Sequence, residues 1–303
     1  MKIHAEPKPL HEPLSGGTQG ATVVVEPLIA GHVSWPKDMM ETPGGRLLTL
    51  RLARALLSDK NRWMVPCPAF LIRHPSAGEI LVDTGLHPSI ASDPRQNFGR
   101  LAVRVAPPKL EKGEDVPAQL RKRGIEPSKV GVVVMTHLHF DHASAISEFA
   151  DSTFVVSEAE WVDATTGGRP ASRGYRPPHY DFVFDYRTVD FARGTVSSYA
   201  SFARTFDLFG DGSIRLAYTP GHSAGHMSVI ARLRQRDFVI GGDAVYTYRQ
   251  LEGAPPPPRP FDRHNWRRSL QELKLFRSQF PHAIVTPGHD PSFYEQLGQR
   301  YYD

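Results

Sequence analysis

The run Thr136-His137-Leu138-His139-Phe140-Asp141-His142 constrains this chain more than any other stretch. Three histidines and an aspartate fall within it, directly after the apolar Val132-Val133-Val134-Met135. That apolar run is short, continuous and β-branched, so it reads as a buried strand over 131–135. Alternate side chains of an extended segment share a face, so His137 and His139 can point into one site. Asp141 and His142 follow where the chain begins to turn and can approach from another angle. Neutral imidazole and carboxylate are ligands that borderline divalent ions accept. The stretch therefore predicts a metal centre where a strand ends. Taken alone, it also reads as a histidine-rich polar turn.

Three later places repeat the arrangement: Thr219-Pro220-Gly221-His222-Ser223-Ala224-Gly225-His226, then Gly241-Gly242-Asp243-Ala244, then Pro287-Gly288-His289. In each, glycine or proline turns the chain beside a polar residue, which presents a side chain from a rigid edge. Singly, Asp243 reads as a turn residue and His289 as a loop residue. His226 reads as a buried supporting histidine rather than a ligand. His179, His264 and His282 lack such a context and read as surface or loop residues.

The 303 residues suffice for one large domain or two ordinary ones. No run of apolar residues is long enough for a transmembrane helix, and the first twenty residues lack the apolar core of a secretory signal, so a cytoplasmic protein is expected. The single cysteine, Cys67, excludes an intramolecular disulfide framework and sits in an apolar stretch, where packing is its expected role. Net charge is +4 with scattered basic residues, and no aromatic-interleaved basic stripe argues for nucleic acid.

Along the chain, residues 1–20 read as a mobile tail or an arm laid on the surface. A first strand is expected over 22–34, and a helix or an extended arm over 46–58. A hairpin follows over 64–73 and 79–83, ending at Asp83-Thr84-Gly85. Residues 87–113 read as irregular. Helices are expected over 115–123, 143–150 and 158–165, and strands over 131–135 and 153–156. Residues 166–200 form a long segment without periodicity, which in a compact domain is often functional. Short strands are expected over 214–218, 226–233, 237–241 and 283–285. Pro255 to Pro258 reads as a stiff connector. Asp262 is a suitable N-cap for an amphipathic helix over 264–279, with Trp266, Leu270, Leu273 and Phe276 at helical spacing.

Together the four places resemble the metallo-β-lactamase superfamily, whose signature HxHxDH is matched by His137, His139, Asp141 and His142, followed in order by His222, Asp243 and His289. The resemblance covers roughly residues 64–290. It implies a single metallo-hydrolase domain over 21–303 of α+β class. The architecture is a four-layer αβ/βα sandwich of two mixed sheets flanked by helices. It also implies two divalent ions, with zinc expected and manganese, cobalt or iron also able to bind. His137, His139 and His222 would hold the first, Asp141, His142 and His289 the second, and Asp243 would bridge them. Asp83 matches a position that supports the site without binding metal.

Within the superfamily the chain is most similar to the N-acyl-homoserine lactonases. The likeness rests on Thr136 to Ala143, on Tyr246 three residues after Asp243, and on Phe261-Asp262 and Gly288-His289-Asp290. Ser144-Ala145 and Ser223-Ala224 depart from the usual pattern by exchange of small residues. The expected reaction is hydrolysis of a small-molecule lactone, a quorum-quenching activity when the lactone is a quorum signal. Metal-activated water would attack, Tyr246 would donate to the developing oxyanion, and Asp141 would shuttle the proton to the leaving alkoxide. No GxSxG nucleophile elbow competes. Loops 87–113 and 166–200 would line an acyl pocket. No nucleic-acid or membrane partner is expected, and the chain would be a monomer or homodimer. The alternatives are a thioester hydrolase of glyoxalase II type, which usually carries a helical domain after its last histidine, a one-iron persulfide dioxygenase, and a non-catalytic metal-binding module.

Overall fold

The computed structural model describes residues 3–41, 47–166, 168, 170–193 and 195–303. Two mixed sheets stack face to face. The first has eight strands in the spatial order Lys8–Pro9, Asp185–Val189, Thr153–Ser157, Val132–Val134, Gly78–Val82, Arg62–His74, Val24–Pro36 and Pro108–Lys109. The second has six, in the order Ile284–Thr286, Asp237–Ile240, Met227–Arg232, Ile214–Tyr218, Phe202–Asp207 and Ser197–Tyr199.

The period of two along each strand builds the layers. In Arg62–His74, Phe70 and Ile72 face the second sheet, where they pack with Phe206, Leu216 and Phe238. The Phe70 and Phe238 rings meet edge to face with centroids 6.0 Å apart. Leu71, between them, faces outward into a second cluster with Leu120 and Trp161 of the covering helices. On the other outer face, Val239 and Ile230 pack under Trp266, Leu270, Leu273 and Phe276 of the helix Arg263–Gln279. Asp262 caps that helix, its Oδ1 accepting the backbone N–H groups of His264 and Asn265. The helices thus lie outside two apposed sheets, and Val132–Val134, buried on both faces, is uniformly apolar.

Parallel pairing explains why the polar loops converge. Gly78–Val82 and Val132–Val134 run parallel, as do Asp237–Ile240 and Ile284–Thr286. Asp83, His137, Asp243 and His289 therefore emerge at one edge of the sandwich. There the two halves are stitched by the Met227 N–H, which donates to the Thr136 carbonyl at 3.0 Å.

Several expectations shift. The segment 46–58 is the helix Leu48–Leu57, with Arg46 outside the described residues. Residues 87–113 are not irregular throughout. They hold the helices Pro94–Phe98 and Arg100–Val105, too short to show periodicity in sequence. The segment 166–200 contains the strand Asp185–Val189, which the sequence hides because Asp185 and Arg187 alternate with buried Tyr186 and Thr188 near the sheet edge. The helix expected over 143–150 is replaced by an earlier turn, Phe140–Ala143, and a 3-10 turn, Ile146–Phe149. Among residues 3–20, Lys8–Pro9 pairs in parallel with Arg187 and Thr188, and Ala5 and Leu10 are buried. Residues 1–2 lie outside the described ones. No helix among the described residues is long and apolar enough to cross a membrane.

Candidate metal centre and active site

The signature stretch leaves its strand extended and then winds. His139 sits at the helix entrance with φ −67° and ψ 156°, which throws Asp141 and His142 into the first turn. His137, His139 and His222 converge as one triad: His222 Nε2 lies 3.1 Å from His137 Nε2 and 2.8 Å from His139 Nδ1. Asp141, His142 and His289 converge as another, with His289 Nε2 3.5 Å and His142 Nε2 4.0 Å from Asp141 Oδ2. Asp243 stands between them. Its Oδ2 is 3.1 Å from His222 Nε2, and its Oδ1 is 3.1 Å from His289 Nε2 and 3.6 Å from His142 Nε2. One carboxylate thus turns one oxygen to each triad.

The donor set could hold two divalent ions. Each imidazole that turns Nε2 inward has its Nδ1 occupied by a neighbour. His142 Nδ1 donates to Asp83 Oδ2 at 2.8 Å, His289 Nδ1 to the Pro66 carbonyl at 2.9 Å, and His137 Nδ1 meets Thr136 Oγ1 at 3.1 Å. In the neutral rings those contacts place the proton on Nδ1 and leave the inward nitrogen as a lone pair, the state a metal requires. His142 Nε2 and Asp243 Oδ1 are buried without a hydrogen-bond partner, which is costly unless a cation meets them. Burial holds His137 and His222 well below the usual imidazole pKa, and neighbouring imidazoles add to this. At His142 and His289 burial pulls the same way, but surrounding carboxylates, Asp83 and Asp243 foremost, outweigh it and raise both. Asp243 is held well below the carboxylate range, because the imidazoles around it overcome its burial.

A supporting ring surrounds these residues. Asp83, with φ +60°, is in a conformation uncommon outside glycine, asparagine and aspartate. Its Oδ1 accepts the Thr136 N–H and its Oδ2 accepts Thr136 Oγ1, both at 2.8 Å. His226 is fully buried and points at neither triad. Its Nδ1 donates to the Thr219 carbonyl at 3.1 Å, and its Nε2 accepts the Asp243 N–H at 2.9 Å. Burial lowers its pKa to about 4, so it stays neutral and acts as that acceptor.

Glu160 had no signal in the sequence. Fully buried, it accepts the Leu138 N–H at 3.0 Å, Ser223 Oγ at 2.6 Å and the Gly225 N–H at 3.0 Å, so it pins the His137–His142 loop to the His222 loop. Gly225 is required there, because a Cβ would stand 2.1 Å from the Glu160 nitrogen. His179 is corrected from a surface or loop residue to a buried one. Its Nε2 donates to the Asn97 carbonyl at 3.0 Å, and burial lowers its pKa to about 3. His264 and His282 are exposed. Cys67 is buried in an apolar cluster, and burial raises its thiol pKa.

Tyr246 lies on the first triad, its Oη 2.7 Å from His222 Nδ1. Burial, then Asp243 and Asp141, raise its pKa well above 10, so the phenol keeps its proton. A cavity of about 700 Å³ opens over both triads. Residues 98–102, 105–106 and 171–176, from the two loops expected to line a pocket, contribute to its wall. The chain also brings Trp35, Met40 and Leu56 from far upstream and Pro257 from the proline run, none of which the sequence pointed to.

The family model of the metallo-beta-lactamase superfamily matches residues 62–289, the span that carries every residue of the two triads. The chain belongs to the metallo-beta-lactamase superfamily. It is 33% identical over 228 residues to the N-acyl homoserine lactonase AttM of Rhizobium radiobacter, spanning 75% of this chain and 82% of that protein. To the N-acyl homoserine lactonase of Bacillus cereus it is 26% identical over 259 residues, 84% of this chain and 93% of the relative. In structure it resembles B. thuringiensis AiiA with N-decanoyl-L-homoserine bound at the active site, with TM-score 0.73 at 22% identity over 91% of this chain and 97% of the other. It also resembles AidC, a dizinc quorum-quenching lactonase, with TM-score 0.55 at 13% identity over 91% of each chain. These two likenesses establish the α+β sandwich of this superfamily as the fold.

Proposed function

We propose that this protein is a two-metal hydrolase that opens the ester ring of N-acyl-homoserine lactones. The observation that carries the reading is the Asp243 carboxylate, one oxygen toward each triad, with the Tyr246 phenol at the same edge. The relatives named N-acyl homoserine lactonase support the substrate class.

In this reading His137, His139 and His222 would hold one ion, Asp141, His142 and His289 the other, and Asp243 would be shared between them. Zinc suits the nitrogen-rich set. When bound, such a pair of ions would supply an ionised water at neutral pH and polarise an ester carbonyl, so no serine or cysteine nucleophile would be needed.

The protein's own groups do the rest. His222 turns its Nε2 lone pair toward the first triad, so its proton sits on Nδ1 and is donated to Tyr246 Oη. The phenolic O–H proton is then free to point into the cavity. It donates to the lactone carbonyl oxygen as negative charge builds there. Asp141 takes, on a carboxylate oxygen, the proton that the water gives up on ionising and delivers it to the ring oxygen as that bond breaks. Water and lactone give one hydroxy acid, with all atoms accounted for. The acyl chain lies along the cavity wall, which buries its methylenes against Met40, Phe98 and Phe140.

A substrate panel tests this. Metal-loaded protein should open N-acyl-homoserine lactones faster than it cleaves S-lactoylglutathione or a cephalosporin. Efficient thioester turnover without lactone turnover would assign the site to thioester hydrolysis instead.

A further inference from the structure

Away from the two triads, the cavity wall carries an uncompensated positive charge. Arg100, Arg173, Arg176 and Arg259 all line it. Among the described residues, the carboxylates on that wall are Asp141, Asp163 and Asp243. Asp141 and Asp243 belong to the donor cluster. Asp163 is occupied by Arg173, whose Nη1 pairs with its carboxylate and whose Nη2 donates to its carbonyl at 2.9 Å. Arg176 donates from Nε to the Asn97 carbonyl, and Arg259 from Nη2 to Thr49 Oγ1 at 2.6 Å. Neither acceptor bears a charge. No carboxylate among the described residues pairs with Arg100, Arg176 or Arg259.

Arg176 is the informative member. It is partly buried, and desolvation pulls its pKa down with no carboxylate to restore it. Withdrawing a guanidinium from water without a counter-charge is unfavourable. Its guanidinium nonetheless packs close against the Gly99 backbone on the wall. Gly99 adopts φ +79°, and a Cβ there would stand 2.7 Å from Arg176 Nη1. An alkyl chain has no use for such a group, since the apolar part of the wall already receives it. A guanidinium fork matches a carboxylate, two donors to two oxygens.

We propose that Arg176, with Arg100 and Arg259 at the mouth, recognises an anionic group on the acyl chain, so that lactones whose chain ends in a carboxylate are preferred substrates. This rests on the lactone reading of the metal site.

The test compares paired substrates on the metal-loaded protein: N-hexanoyl- against N-adipoyl-homoserine lactone, and N-decanoyl- against N-sebacoyl-homoserine lactone. In at least one pair the carboxylated member should show kcat/KM higher by about tenfold, mainly through KM, as expected for a charge-assisted contact. Arg176→Gln should bring that ratio down several-fold. Because Arg176 also holds the Asn97 carbonyl, the double variant Arg100→Gln/Arg259→Gln, altered only at exposed positions, should lower it independently. Ratios at or below one in both wild-type pairs, or a ratio unmoved by every variant, overturn the proposal. If no lactone of either kind is opened, the lactonase reading fails separately. Calorimetry with ring-opened N-sebacoyl-homoserine and N-decanoyl-homoserine then decides the present point. Tighter binding of the diacid that the variants abolish sustains it, and equal affinity overturns it.

Discussion

At the scale of single residues, the structure adds the hydrogen-bond partners of each polar group. A tyrosine three positions after an aspartate is an unremarkable spacing. With Oη 2.7 Å from His222 Nδ1, Tyr246 is placed to accept from that imidazole and, in the proposed mechanism, to donate toward the cavity. Tyr246→Phe should therefore lower lactone kcat by about 100-fold, since it removes one donor to the oxyanion. Metal content by mass spectrometry should stay at the wild-type value. An unchanged kcat would remove Tyr246 from the mechanism. The candidate donors themselves were legible because four sit in one local motif after a strand end and His222, Asp243 and His289 each stand beside a glycine or proline turn. The roles of Glu160 and His226 were not. Glu160 acts on Leu138, Ser223 and Gly225, partners brought to it only by the fold, and a glutamate opening a helix looks the same whether buried or solvated.

At the scale of elements, the site is two loops held by one buried carboxylate. Glu160→Ala would leave the Leu138 and Gly225 N–H groups buried without acceptors. Each such group costs about 1–3 kcal/mol, so unfolding free energy should fall by about 3 kcal/mol in denaturant titration. Lactone turnover should fall with it, because the His137 and His222 loops lose their common anchor. Full stability with full activity would deny Glu160 that role. Element prediction followed the same divide between local and distant causes. The strand Val132–Val134 and the helix Arg263–Gln279 announced themselves by pattern and by the Asp262 cap. The strand Asp185–Val189 did not, because a near-edge strand needs few apolar residues and its Asp185 and Arg187 satisfy each other at 2.9 Å. The cavity wall was half legible. Trp35, Met40 and Leu56 reach it from a sequence distance that no local pattern encodes.

At the scale of the whole molecule, the two sheets are joined at both ends. The metal edge is one. At the other end, Asp211 of the second half receives His74 Nε2 of the first at 3.0 Å, the Thr18 N–H at 2.8 Å and the Ser213 N–H at 2.9 Å. Burial alone would raise the Asp211 pKa, but these bonds, those from Ser213 first, hold it below the usual carboxylate value. A carboxylate with a depressed folded pKa stabilises fully above its unfolded pKa, and that contribution disappears as pH falls through the folded value. Stability measured in urea should thus decline on acidification below about pH 4, the unfolded aspartate range. The decline should be shallower in Asp211→Asn, and identical slopes would show the carboxylate contributes nothing. The central claim spans the molecule, because loops from both halves complete each triad. It is tested most directly by titrating Zn²⁺ into metal-free protein while following ring opening of N-decanoyl-homoserine lactone. The two-ion assignment predicts that activity rises with added metal and levels off at about two ions per chain. A plateau at one ion, or turnover undiminished in the metal-free protein, would contradict it.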